Sequence, residues 1–371
     1  MDPRYRLNDP GALLSPSLLV FRDLVRQNLE AMVAMARGAD RLRPHVKTHK
    51  MPAIVKLSEA MGIRKHKCAT IAEAEMVAQA GGTDVLLAYE MVGPNIARLA
   101  KLARTFPGTT FRTLVDHPDS ARALSAGLSG LPRPIPVLLD LEVGMGRTGI
   151  EPGEAAADLY ALVDRLPNLK ADGLHAYDGH IHISELSARR EAARPGLERT
   201  LKLRDKLVSR GLPVPRLVLG GTPTFPVHAA LDEPGVELSP GTSTLHDVGY
   251  GTKLPDLPFI PAAAVLTRVI STPRPGRLCL DVGHKAIAAD PPAGGRLTLP
   301  DLADPVLGTH NEEHLIVDTP DAGSYPPGTP LLAFPTHICP TCALHRLAYV
   351  IENGDHVDTW EVAARDRVLG I

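Results

Sequence analysis

Residues 217–224 read LVLGGTPT, a short apolar, β-prone run that stops at a glycine turn. A run too short for a helix and closed by glycines reads as a buried strand. The same shape recurs from about residue 20 to 245, each run followed by an alanine- and leucine-rich helical stretch, which is βα repetition. Further strand candidates end in HVKTHK (45–50), HKCAT (66–70), LLAYE (86–90), LVDH (114–117), LLDLEVGMGRTG (138–149), LHAYDGH (174–180) and ELSPGTS (237–243). Together these make eight units, the number that closes a (β/α)8 TIM-type barrel and brings the polar strand ends onto one rim. An open doubly wound sheet has similar periodicity and stays as the alternative.

Beyond about residue 246 the helical pattern thins out. AAAVLTRVIS, GRLCLDVGHKAI, HLIVD, PLLAFPTHIC and AYVIENGDHVDTWEVAARD read as strands between Pro, Gly and Asp turns. The expectation is an α/β chain with a barrel over 18–245 and a second, β-rich domain over 246–371, joined by about residues 1–17. Its 371 residues suffice for two such cores.

Forty basic against forty-two acidic side chains leave no electrostatic footprint for nucleic acid and no polybasic membrane patch. A small-molecule substrate is expected instead. Four cysteines make no disulfide framework, and the opening MDPRYRLNDP lacks the apolar run of a signal peptide, so a cytoplasmic protein is expected. No apolar stretch approaches the roughly 20 residues that span a bilayer.

Lys47 falls where the first barrel strand ends, with His45 and His49 two residues to either side. In a strand the three would share a face. A lysine in a barrel mouth among cations and apolar walls has its amine pKa drawn down and becomes a competent Schiff-base former, whereas Lys50 would point away. The same letters also spell a solvated basic turn. LGGT (219–222) and SPGTS (239–243) close the last two barrel strands, where glycine-loop N–H groups commonly hold a phosphate. A lysine on the first strand with two such turns points to pyridoxal phosphate.

In PTHICPTC, His337 and Cys339 are two apart, so an extended segment projects both to one side where they can share an ion. Imidazole with thiolate favours zinc, manganese and magnesium being the alternatives, and two protein ligands leave open positions as a catalytic site requires. Competing readings are a structural knuckle using Cys339, Cys342, His345 and His337, inert cysteines, and a redox Cys-x-x-Cys without its usual βαβ context. His180, ending the sixth strand, could act as a general base or simply bond a loop carbonyl. Glu313 and His314 could support a metal or form an ordinary exposed turn.

PHVKTHK, HKCATIAEAE, DLEVGMGRTGI, GLHAYDGH, LGGTPT, LDVGHKAIAAD, EEH and PTHICPTC together resemble the metal-activated D-threonine aldolase and D-serine dehydratase family, of the alanine-racemase-like fold type of pyridoxal-phosphate enzymes. The resemblance covers nearly the whole chain. It implies a homodimer, a barrel that binds the cofactor and a β-domain that supplies metal ligands. By it Lys47 is the lysine that binds the cofactor, Arg147 reaches the cofactor's phenolic oxygen, and Tyr177 lies beside the pyridine ring. Gly220, Gly221, Thr222, Gly241 and Thr242 match the phosphate cradle. Ser239 departs from the pattern, since relatives often carry arginine there, which leaves the partner of the pyridine nitrogen open.

The function so implied is a pyridoxal-phosphate- and metal-dependent lyase of D-β-hydroxy-α-amino acids. The stretch from Tyr177 to His180 resembles the aldolases, which give glycine and an aldehyde. Cys339 resembles the zinc-dependent dehydratases, which give a 2-oxo acid and ammonia. The balance falls to the aldolase. A racemase has no obvious use for a metal pair, and the barrel-only pyridoxal-phosphate carriers lack a β-domain.

Overall fold

The computed structural model describes residues 2–371. The chain divides into two compact units. One comprises Met32–Lys47, Ile54–Gly241 and Asp366–Ile371; the other comprises the N-terminal residues up to Ala31 with Thr48–Ala53 and Thr242–Arg365.

The first unit is built on seven parallel strands, Lys65–Cys68, Asp84–Glu90, Thr110–Val115, Ile135–Leu141, Leu169–Ala176, Leu217–Leu219 and Val236–Leu238, paired in chain order. Residues 42–45 occupy the eighth position. Leu42 bridges Leu238 and His45 bridges Lys67, both in parallel, with Arg43 N–H to Leu238 O at 2.8 Å and Val46 N–H to Lys67 O at 2.9 Å. The two sheet edges therefore meet through this segment, and the barrel reading holds over the open sheet.

Alternate strand residues fill the barrel in layers. At one end Arg43, fully buried, meets Glu237 at 2.5 Å and Asp84 at 2.7 Å, while Arg112 bridges Asp84 and Asp172. Two residues beyond Asp84 and Arg112 on their strands, Leu86 and Leu114 pack with Leu138 and Val218 into an apolar layer. The next positions on those strands reach the C-terminal rim. The helix Ile71–Gln79 is fixed at its start by side-chain capping bonds. The Thr70 hydroxyl accepts from Glu73 N–H at 3.1 Å, and the Glu73 carboxylate accepts from Ala69 N–H at 2.6 Å.

The second unit is a nine-stranded sheet. Ser17–Phe21 lies between Ala263–Arg274, antiparallel, and Leu347–Glu352, parallel. The N-terminal share of this unit thus extends past residue 17, because that strand pairs here and not in the barrel. Its core gathers Val265, Leu278, Leu315 and Leu331. Two further strands, Leu297–Thr298 and Val306–His310, lie where the sequence pattern shows none. Among the described residues no helix is long and apolar enough to cross a membrane.

Candidate active site

The extended path that carries the first barrel position ends at His45, and residues 46–49 form a turn. This corrects the expectation of one strand face shared by His45, Lys47 and His49. His45 Nδ1 accepts from the Lys47 N–H at 3.3 Å and His49 Nδ1 from the Met51 N–H at 3.0 Å, so both imidazoles shape the turn. Lys47 is left half-buried at its crest. Lys50 leaves the turn with φ +56°, and its Nζ donates to Ala364 O at 3.3 Å.

The barrel gathers a polar cluster that includes residues sequence reasoning missed. Lys67, the strand partner of His45, is buried, with Nζ 5.6 Å from the centroid of the Tyr177 ring. Arg147 Cζ lies 4.9 Å from the same centroid. Burial draws the Lys67 amine down to about 7; the charges of Lys47, Arg147 and Arg43 push the same way, and Asp140 opposes them. Asp140 Oδ1 lies 2.6 Å from His175 Nδ1, and its other oxygen accepts from the Thr148 hydroxyl at 2.8 Å. Burial and the nearby Lys67 charge hold the His175 imidazole below its ordinary value. Burial and the neighbouring Asp140 carboxylate push Glu90 up to about 7. The signal available in the sequence was alternation: His175 is two residues before Tyr177, and Asp140 ends the apolar run LLD.

Gly220, Gly221 and Gly241 of the two glycine turns lie in the same unit. Gly220 has φ +66°, and a Cβ there would lie 2.6 Å from His228 Cδ2. A Cβ on Gly221 would lie 2.9 Å from Tyr177 Cε2, so the glycine main chain is pressed against the aromatic ring. The Gly241 N–H donates to the Thr222 hydroxyl at 3.2 Å, which ties one turn to the other. Thr242 opens a short helical turn, with its hydroxyl 3.5 Å from Cys339 Sγ. The Ser239 hydroxyl is buried without a hydrogen-bond partner. A glycine cradle, an aromatic face, an arginine and a lysine beside it, and an orphaned buried hydroxyl fit a phosphorylated pyridine aldehyde.

His180 lies four residues beyond the strand Leu169–Ala176 and is exposed, so it belongs to the rim loop and not to the strand end. It packs over Gly144, where a Cβ would meet His180 Nε2 at 2.7 Å. The loop that carries Gly144 and Arg147 folds around the Glu142 carboxylate, which accepts from the N–H groups of Gly144 and Gly146.

His337 and Cys339 do not lie on an extended segment as expected. The strand ends at Pro335, His337 is the N-cap of the helix Ile338–Leu344, and Cys339 is in its first turn. The cap geometry still brings the side chains within hydrogen-bond reach. Against burial, Cys339 and Asp290 raise the His337 imidazole to about 9. His337 Nδ1 lies 2.6 Å from Asp290 Oδ2, and the Cys339 thiol donates to the Thr48 hydroxyl at 3.2 Å. Among the described residues no three His, Cys, Asp or Glu side chains form a ready-made metal cage. An imidazole backed by a carboxylate beside a thiol fits an open divalent site completed by water or substrate. The structure does not favour the four-ligand knuckle, because Cys342 is fully buried and His345 Nε2 is taken by Ala286 O at 2.8 Å. Glu313 and His314 lie in an exposed turn, with Glu313 3.5 Å from Lys285.

Residues 21–244 match the family of the alanine racemase N-terminal domain, and residues 262–351 match the putative serine dehydratase domain. The chain belongs to the alanine racemase N-terminal domain family. Within this family it is 32% identical to a D-threonine aldolase of Arthrobacter sp, over 98% of this chain and 96% of that protein. The crystal structure of a D-threonine aldolase from Filomicrobium marinum superposes with TM-score 0.88 at 30% identity, covering 95% of this chain and 96% of that one. A D-threo-3-hydroxyaspartate dehydratase from Delftia sp. HT23 superposes with TM-score 0.83 at 25% identity, over 94% and 97% of the two chains. The expectations of the alanine-racemase-like fold and of an enzyme are met by these full-length relatives.

Proposed function

We propose that this chain is a pyridoxal-phosphate- and divalent-metal-dependent lyase of the D-threonine aldolase type, acting as a homodimer on D-β-hydroxy-α-amino acids. The observation that carries the reading is the Tyr177 ring, with Lys67 and Arg147 over it and the Gly221 main chain pressed against it. The likeness to the D-threonine aldolases over nearly the full chain supports it.

In this reading Lys47 holds the aldehyde end of the cofactor and Arg147 its phenolic oxygen, with Tyr177 against the ring. Gly220, Gly221, Thr222 and Gly241 receive the phosphate, with Thr242 next in the chain. His337 and Cys339 of the strand-rich unit hold the metal, zinc being favoured by the donor pair over manganese or magnesium. When bound, pyridoxal phosphate takes up the electrons left on the substrate Cα and the metal holds the β-hydroxyl. His180, exposed on the rim loop, takes the hydroxyl proton as general base. The second reading, a dehydratase in which Lys47 removes the Cα proton, is favoured by Cys339 at the metal position and by the likeness to the Delftia dehydratase.

Product analysis separates the two. D-Threonine should give glycine and acetaldehyde, with L-threonine inert. A 2-oxo acid and ammonia from D-threonine or D-serine, without glycine, sinks the aldolase reading and leaves the dehydratase.

A further inference from the structure

Directly beside the Gly220–Gly221 turn lies a buried polar pair that the proposed chemistry does not use. Asp178 is 6% exposed and His228 is 4% exposed, next to an apolar cluster of Ile181, Ala193 and Val227. Asp178 Oδ2 lies 2.7 Å from His228 Nε2, and Asp178 Oδ1 accepts from the Thr224 hydroxyl at 2.6 Å. That hydroxyl in turn faces the Gly221 N–H at 3.4 Å. The imidazole edge touches the turn itself, since a Cβ on Gly220 would meet His228 Cδ2 at 2.6 Å and Thr224 Oγ1 at 2.7 Å. His228 Nδ1 is buried without a hydrogen-bond partner.

Stability alone gives no reason for such a pair. Apolar side chains of similar volume commonly stabilise a core as well as a buried polar pair does, because the carboxylate and the imidazole must both be stripped of water. Fixed direction is what the pair supplies. A carboxylate that accepts the Thr224 O–H hydrogen bond orients the hydroxyl lone pairs toward the Gly221 N–H, and the imidazole sets the height of the Gly220 main chain. Burial pushes the Asp178 carboxyl up, but the hydrogen bond and charge of His228 and the Thr224 hydroxyl outweigh it and keep the group below its ordinary value.

We propose that Asp178 and His228 are positioning residues for the cofactor's phosphate, acting through Thr224 to hold the Gly220–Gly221 turn in its receiving conformation. The proposal rests on the reading of that turn as a phosphate cradle. It makes the phosphate group, and not the pyridine ring, the part of the cofactor that senses the pair.

The test compares two ligands, pyridoxal 5′-phosphate and pyridoxal, titrated by visible absorbance into the full-length protein freed of cofactor. Wild type should bind the phosphorylated ligand much more tightly. Asp178→Asn and His228→Ala should narrow that ratio by about tenfold or more, the scale of one lost hydrogen bond, while pyridoxal affinity stays near wild type. His228→Gln, which keeps an N–H toward Asp178, should restore most of it. Thr224→Val removes only the hydroxyl at constant shape and should narrow the ratio even where the pair variants fold poorly. A wild-type ratio in Thr224→Val, or an equal loss for both ligands, overturns the positioning role. A wild-type protein that does not distinguish the two ligands overturns the cradle reading itself.

Discussion

Lys67 is carried into the barrel by main-chain bonding to the 44–46 segment on one side of its strand, its N–H donating to Pro44 O and its carbonyl accepting from Val46 N–H, and once there it is surrounded by more positive than negative charge. Its amine falls from the ordinary 10.5 to about 7. Between those values the unfolded chain binds a proton that the folded chain does not, so this group makes stability rise with pH across that window. Lys67→Met keeps most of the volume and removes the buried charge. It should raise the melting temperature at about pH 6.5, with the gain shrinking as both proteins are melted toward about pH 10. A gain that is constant with pH would show that packing, not charge, sets the difference. Lys47, Arg147 and Tyr177 drew attention in the sequence because each stands in a motif that follows an apolar run. Lys67 was not, because the four-residue strand KHKC has no internal periodicity to say which lysine faces inward. Its register became visible only through the neighbours it bonds.

At the scale of the element, the βα repeats were readable because most strands carry a short apolar run that gives way to glycine, proline or charge. The turn after His45 and the helix after His337 were not. An alternating His-x-Lys-x-His and a His-x-Cys both satisfy a strand pattern until the main-chain partners run out. In PTHICPTC the signal was Pro340, which the first turn of a helix tolerates and a central strand does not. The loop 142–149 offers a test of how an element places a side chain. Gly144 has φ +127° and lies under His180, so Gly144→Ala strains the backbone and displaces the imidazole. With His180 as base, His180→Ala should lower kcat by about 10²-fold and Gly144→Ala by part of that. The double variant should then be no worse than His180→Ala, because the two losses pass through one group. Additive losses in kcat would mean that Gly144 acts elsewhere, as through the Arg147 end of its loop.

Across the whole molecule, the order of barrel strands could be read from the sequence, whereas the place of one N-terminal strand could not. Ser17–Phe21 has the same apolar letters as a barrel strand, and only its pairing with Ala263–Arg274 and Leu347–Glu352 puts it in the nine-stranded sheet. That unit has a closed apolar core of its own around Val265, Leu278, Leu280, Leu315 and Val317, all essentially inaccessible to solvent. His337 and Cys339 are outside this cluster, at the start of a helix, with Asp290, Thr48 and Thr242 among their polar neighbours. A metal bound by two side chains there adds little to what the core already holds, in contrast to a four-ligand site whose ion replaces a core. Removing the metal with a chelator should therefore abolish turnover while leaving the thermal melt nearly unchanged, and adding back zinc or manganese should restore activity. Cys339→Ala should reproduce the chelated state, with lost turnover and a near-native melt. Unfolding on chelation would instead require the ion to bind Cys342 and His345 as well, and so to pull Cys342 out of its buried position.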